Sequence, residues 1–193
     1  LGYLKHNKLQ LRLLKFLVPA SFVGSALGVT VLNRIKPDFL SAIIPFLILG
    51  VGIYTLFNKS LGGVSMYKHP HKAVLAKGIF FTFLIGFYDG FFGPGAGTFF
   101  IVMLIKVFSV DFIEASGNTK LLNFASGFSA LIIFLMHGQV NFYYGFIGTI
   151  AILAGSLVGT KLAIKKGVTF IRPIFLSVSF IIAFKMFYDK FAS

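Results

Sequence analysis

The 193-residue sequence contains no cysteine. That excludes a disulfide framework, thiolate chemistry and any cysteine metal site. Charge is scarce as well: 12% of residues are Asp, Glu, Lys or Arg, against roughly 25% in a soluble domain. Acids are rarest, with five in the whole chain. What replaces charge is apolar: 57% of residues are hydrophobic and mean hydropathy is +0.91. An integral membrane protein is the class that fits. The sequence also lacks the H-E-x-x-H and G-x-S-x-G motifs, and its apolar segments hold a single acid, Asp89. With no nucleophile–base pair in view, an enzyme is not expected. His69-Pro-His71 is too short for a metal site, and the 26 phenylalanines read as lipid-facing and packing residues, not as a cofactor box. Neither a metal nor a cofactor is expected.

The charge that is present is lopsided, at +13 net. In a soluble protein this would suggest nucleic acid. Here the Lys and Arg fall between apolar spans, so anionic lipid is the partner they suit and nucleic acid is not. Lys5, Lys8, Arg12 and Lys15 precede a first span at about 14–32, which is of spanning length and does not read as a cleavable signal. Gly24 and Gly28 in it form a small-xxx-small face for close helix packing. A second span is expected at about 39–57, then a basic loop over 58–77. Further spans are expected at 121–136, 142–160 and, with Arg172 and Lys185 snorkelling, 171–188. The stretch 110–120 and the lysines 161, 165 and 166 read as loops.

Between these lies Gly86-Phe-Tyr-Asp-Gly-Phe-Phe-Gly-Pro-Gly-Ala-Gly-Thr98, inside one long apolar segment. Five glycines and Pro94 cannot continue a regular helix. The reading is an apolar half-helix over 78–92, a glycine-rich turn, and a second half-helix over 97–108, each shorter than the roughly 20 residues a crossing needs. Broken backbone at membrane depth is tolerated only beside protein or a wet cavity, and in transporters it points to a substrate site. The first amides of the second half-helix would face the break and favour an anion. Thr98 would cap that helix or donate its hydroxyl to the ligand. Asp89 reads either as a protonatable coupling group or as a cap or a partner of a donor such as Lys120; an ionised Asp would repel an anion. Asn118, Thr119, Lys120 and Asn123 sit at the expected start of the next span, with Asn118 or Thr119 as its N-cap, and supply amide, hydroxyl and ammonium donors. Ser126 and Ser129 read as packing or interhelical hydrogen-bonding residues.

The chain also repeats itself. An offset of 131 residues carries Gly24-Ser25-x-x-Gly28 onto Gly155-Ser156-x-x-Gly159, His6 onto His137 and Ala20 onto Ala151 without a gap. Residues 1–77 then form the end of a first repeat and 78–193 a second. The first repeat's broken hairpin is expected upstream of Leu1, unless the chain is a shortened protein. The basic approach to the first span faces an uncharged counterpart at 137–141, so positive-inside placement makes the repeats inverted and the broken segment a re-entrant hairpin. Arg34 and Lys36, outside in that scheme, run against it.

These residues, Gly86 to Thr98 followed by Gly117-Asn-Thr-Lys-x-x-Asn123, resemble the second-half signature of the sulfite exporter TauE/SafE family, in its probable membrane transporter branch. The resemblance covers essentially the whole chain, although the family's glycine-rich first-half motif is absent. It implies an all-α polytopic protein of the bacterial inner membrane, an inverted-repeat helical transporter with a re-entrant hairpin, moving small sulfur-containing oxyanions. The expected substrate-binding residues are Asp89, Gly93, Pro94, Gly95, Gly97, Thr98, Asn118, Thr119, Lys120 and Asn123. Its partners would be a small anion, the lipid bilayer and, left open, further copies of itself. A channel, or a proton-coupled carrier for another small ion, is the alternative.

Overall fold

The computed structural model describes residues 11–36 and 71–166, with single positions at 50, 177 and 181. Apart from those single positions, the spans expected at 39–57 and 171–188 lie outside the described residues, as do His6 and His69. The elements are α1 (Leu11–Leu32), α2 (Lys72–Phe91), α3 (Ala96–Phe108), α4 (Phe112–Met136) and α5 (Phe142–Lys166). Among the described residues, four of these are long and apolar enough to cross a membrane, and α3 is a shorter apolar helix. The protein is thus a polytopic all-α membrane protein. The described elements fall into two compact units, α1 to α4 in one and α5 in the other.

Three boundaries differ from the sequence expectation. Helix α2 starts at Lys72, right after Pro70-His71, and not at Gly78. Lys72-Ala-Val-Leu-Ala-Lys77 is made mostly of good helix formers, so this half-helix is 20 residues long. It is not shorter than a crossing. Helix α4 starts at Phe112, nine residues before the expected 121. The cause is Asp111, whose carboxylate accepts the Glu114 amide at 2.7 Å while its carbonyl accepts the Ala115 amide. Asn118 and Thr119 therefore lie inside the helix and cap nothing. Helix α5 runs through the lysines expected in a loop, to Lys166, and starts from Asn141, whose side chain accepts the Tyr143 and Tyr144 amides.

Within the first unit, side-chain registers give the helix directions. The Ser21 hydroxyl donates to the Leu122 carbonyl at 3.0 Å and the Ser25 hydroxyl to the Ser126 carbonyl at 2.7 Å, both 101 residues apart. A constant offset means that α1 and α4 run parallel. A Cβ on Gly86 would meet Ser21 and one on Gly90 would meet Ser25, four residues on in both helices, so α2 is parallel to α1 as well. Gly78 faces the Phe108 ring, whereas Tyr88 stacks edge-on with Phe99 at 5.3 Å. As one number rises the other falls, so α3 alone runs antiparallel, folding back on α2 as a helical hairpin.

Close approach is what the glycines supply. A Cβ on Gly24 would land on the Phe83 carbonyl oxygen, and one on Gly28 on that of Phe87. The small-xxx-small face of α1 thus packs directly on the backbone of α2, without the thickness of a side chain between them. Without a hydrophobic effect between helices in lipid, such van der Waals contact and the serine hydrogen bonds are what hold them. The apolar core lies below this seam, built from Leu13, Leu14 and Leu17 of α1, Phe100, Leu104 and Phe108 of α3, and Leu122 of α4.

The hairpin tip stops short of its neighbours' far ends. Gly90 is level with Ser25 of α1, which continues to Leu32, and Asp89 is level with Ser126 of α4, which continues to Met136. At 1.5 Å per residue those ends lie about 10 and about 15 Å further on. The end where α1, α2 and α4 begin and α3 finishes gathers Lys15, Lys72, Lys77 and Lys106.

Candidate substrate site at the hairpin tip

Residues 92–95 separate α2 from α3. Gly93 and Gly95 take φ of 89° and 82°, the left-handed region that a side chain disfavours. The Phe92 and Gly93 amides both reach the Tyr88 carbonyl, closing α2. The Tyr88 hydroxyl crosses the turn to donate to the Pro94 carbonyl at 2.7 Å. The Ala96 amide then bonds the Gly93 carbonyl, and the Thr98 and Phe99 amides bond that of Gly95. This corrects one expectation. The first amides of α3 do not form an open array toward the break, because the tight turn consumes most of them. The N-cap is Gly95, with no side-chain cap, so neither Thr98 nor Asp89 caps α3.

Gly97 brings the two halves of the motif together. A Cβ there would stand 3.0 Å from Asn123 Nδ2 and 3.9 Å from Thr119 Cγ2. Thr119 and Asn123, four residues apart on α4, thus flank the start of α3. Asp89 approaches from α2: its carboxylate accepts a hydrogen bond from the Ser126 hydroxyl, and its Oδ1 lies near the open side of Gly93. The Ser126 hydroxyl also has the Asn123 carbonyl within 3.1 Å. The tip therefore joins Asp89, Gly93, Gly97, Thr119, Asn123 and Ser126 in one neighbourhood.

Two expected site residues stand elsewhere. Asn118 is 1% exposed and lies with Leu122 and Ser129 on the side of α4 that bonds α1. Lys120 is exposed on another flank of α4, two turns inside the helix and not at its start. Conversely, the sequence did not point to Ser21 or Thr82, and it offered Ser25 only as a member of the repeated motif. Ser126 and Ser129 do make interhelical hydrogen bonds, the latter to the Phe22 carbonyl at 2.8 Å. Nothing local could have paired Ser126 with Asp89, 37 residues away.

The family model for the sulfite exporter TauE/SafE matches residues 1–186. The chain belongs to the sulfite exporter TauE/SafE family. A probable membrane transporter protein of Haemophilus influenzae is 33% identical over 190 residues, covering 98% of this chain and 74% of that relative. The probable membrane transporter protein YfcA of Escherichia coli K12 is 33% identical over 180 residues, 91% of this chain and 65% of YfcA. ORF9 of a Sinorhizobium species, also named a probable membrane transporter protein, is 32% identical over 169 residues, 88% of this chain and 64% of its own length. The TauE/SafE chain thus spans about two thirds to three quarters of these relatives. No solved structure matches it. Family and relatives together make it a multi-pass membrane protein of a transporter family.

Proposed function

We propose that the chain acts in a permease of the bacterial inner membrane that moves small sulfur-containing oxyanions, sulfite or a sulfonate among them, and holds the substrate at the hairpin tip. The observation that carries this reading is the meeting of the two motif halves at Gly97 and Asn123. There a side-chain amide and a threonine stand beside backbone that an oxyanion can approach closely. The tip lies short of the far ends of α1 and α4, as a re-entrant hairpin would. The lysines gathered at the opposite end favour placing that end in the cytoplasm. The inverted repeat, with 1–77 and 78–193 as its parts, belongs to the same proposal.

Asp89 is assigned the coupling role. A carboxylate in the membrane costs about 3 kcal/mol or more unless it is paired, and here a serine hydroxyl serves it. Near an anion site it is useful when it takes up a proton as the anion binds. That favours proton-linked transport over a plain pore.

The test is solid-supported-membrane current from proteoliposomes given sulfite, thiosulfate, a sulfonate or chloride. Saturating currents with the sulfur oxyanions, weak ones with chloride, and a large loss in Asn123→Leu are expected. Absence of current with every sulfur oxyanion rejects the substrate class. Flux that fails to saturate, or that no counter-gradient can drive, favours the channel reading.

A further inference from the structure

The α2–α4 seam has a second polar pair, whose Thr119 methyl faces Gly97 at the tip while its hydroxyl has no role above. Asp89 and Ser126 meet across it, 37 residues apart. Stepping back seven residues on both parallel helices gives Thr82 and Thr119, the same offset on the same seam. Seven residues are two helical turns, about 10 Å nearer the basic end. Thr82 is 0% and Thr119 4% exposed, and both hydroxyls are buried without a hydrogen-bond partner among the described residues. They do not bond each other, nor do they bond back to their own helices, as Thr30 does to Ala26.

Two buried hydroxyls that face one seam and lack partners are costly to leave so, each at about 1–3 kcal/mol. We propose that an ordered water bridges Thr82 and Thr119, and that it is the relay point from which protons reach Asp89. The chemistry selects the ligand. Each hydroxyl offers one proton and accepts another, and water, small, neutral and abundant, answers both at once. A bare anion or cation would need a counter-charge, and the side chains near this level have none: Leu104 and Leu122 are apolar, and Asn118, whose buried amide also lacks a partner among the described residues, is neutral. Above it, the titratable groups of α2 are Asp89 and Tyr88, the latter engaged with Pro94, while α4 presents Ser126 to the carboxylate and Ser25 of α1 donates to the Ser126 carbonyl.

The functional half of this inference rests on the coupling role of Asp89; the water site does not. X-ray radiolytic hydroxyl labelling of the full chain in lipid nanodiscs separates them, because buried side chains are oxidised only where a bound water supplies the radical. Leu122, 0% exposed and one turn beyond Thr119, is expected to be labelled. Labelling should fall several-fold in Thr82→Val/Thr119→Val and persist in Thr82→Ser/Thr119→Ser, which keeps both hydroxyls. An unlabelled Leu122 in the natural chain, or equal labelling in the valine pair, overturns the site. In proteoliposomes Thr82→Val alone, which leaves the tip residues in place, should slow proton-driven flux several-fold with the anion KM unchanged; unaltered flux overturns the relay role even where the water is found.

Discussion

The same five-residue pattern occurs twice, and its two copies live differently. In α1, Gly24-Ser25-x-x-Gly28 is pressed on α2 so closely that a Cβ at either glycine would strike backbone. Its serine reaches across to the Ser126 carbonyl of α4. In α5, no described atom lies within 4 Å of a Cβ on Gly155 or Gly159, and the Ser156 hydroxyl turns back to the Leu153 carbonyl of its own helix. A small-residue stripe is thus a capacity for close packing, not a contact in itself. What fulfils it in α1 is a hairpin helix whose own glycines, Gly86 and Gly90, answer it from the other side.

The largest test of that contrast is steric. Gly28→Leu should destabilise the first unit by about 3 kcal/mol, since the clash is with backbone that cannot step aside. Gly159→Leu in the same chain should cost far less. Thermal unfolding of the two variants in one detergent compares them, and equal losses would mean that α5's stripe is covered too. Next is Asp89→Asn, on the covered side, which should change the pH dependence of flux; a pH profile matching the unsubstituted protein rejects the coupling role. Lys120→Gln, two turns inside α4 and away from the tip, should lower anion flux no more than Lys72→Gln at the start of α2. A clearly larger loss at Lys120 would return it to the site. The smallest difference concerns the serines: Ser25→Ala should cost about 0.6 kcal/mol, the average for such a bond between membrane helices, and Ser156→Ala less, by steric-trap unfolding.

Much of this was legible in the residues. The hydropathy and the scarcity of acids gave a membrane protein, and Gly24/Gly28 announced a close helix contact that the structure supplies. The turn at 92–95 was visible because glycine and proline punctuate any apolar run. The misses share a cause. The start of α2 depended on helix formers that read as a basic loop, and the start of α4 on Asp111, whose capping geometry overrides the polar look of 111–120. The site was half visible: the motif halves could be named, but not that Gly97 is where they meet. Asn118 and Thr119, adjacent in sequence, turn to different neighbours, and only the parallel course of α1, α2 and α4 decides which.

That course has a mechanical side. The hydroxyl–carbonyl and hydroxyl–carboxylate bonds described above staple α1, α2 and α4 to one another. Against this tripod α3 rests on greasy surfaces, Phe100, Leu104 and Phe108, and the turn before it is tied by the Tyr88 hydroxyl. A rod seated in that way slides or tilts at the cost of contact area, whereas each of its neighbours would have to tear a polar fastening first.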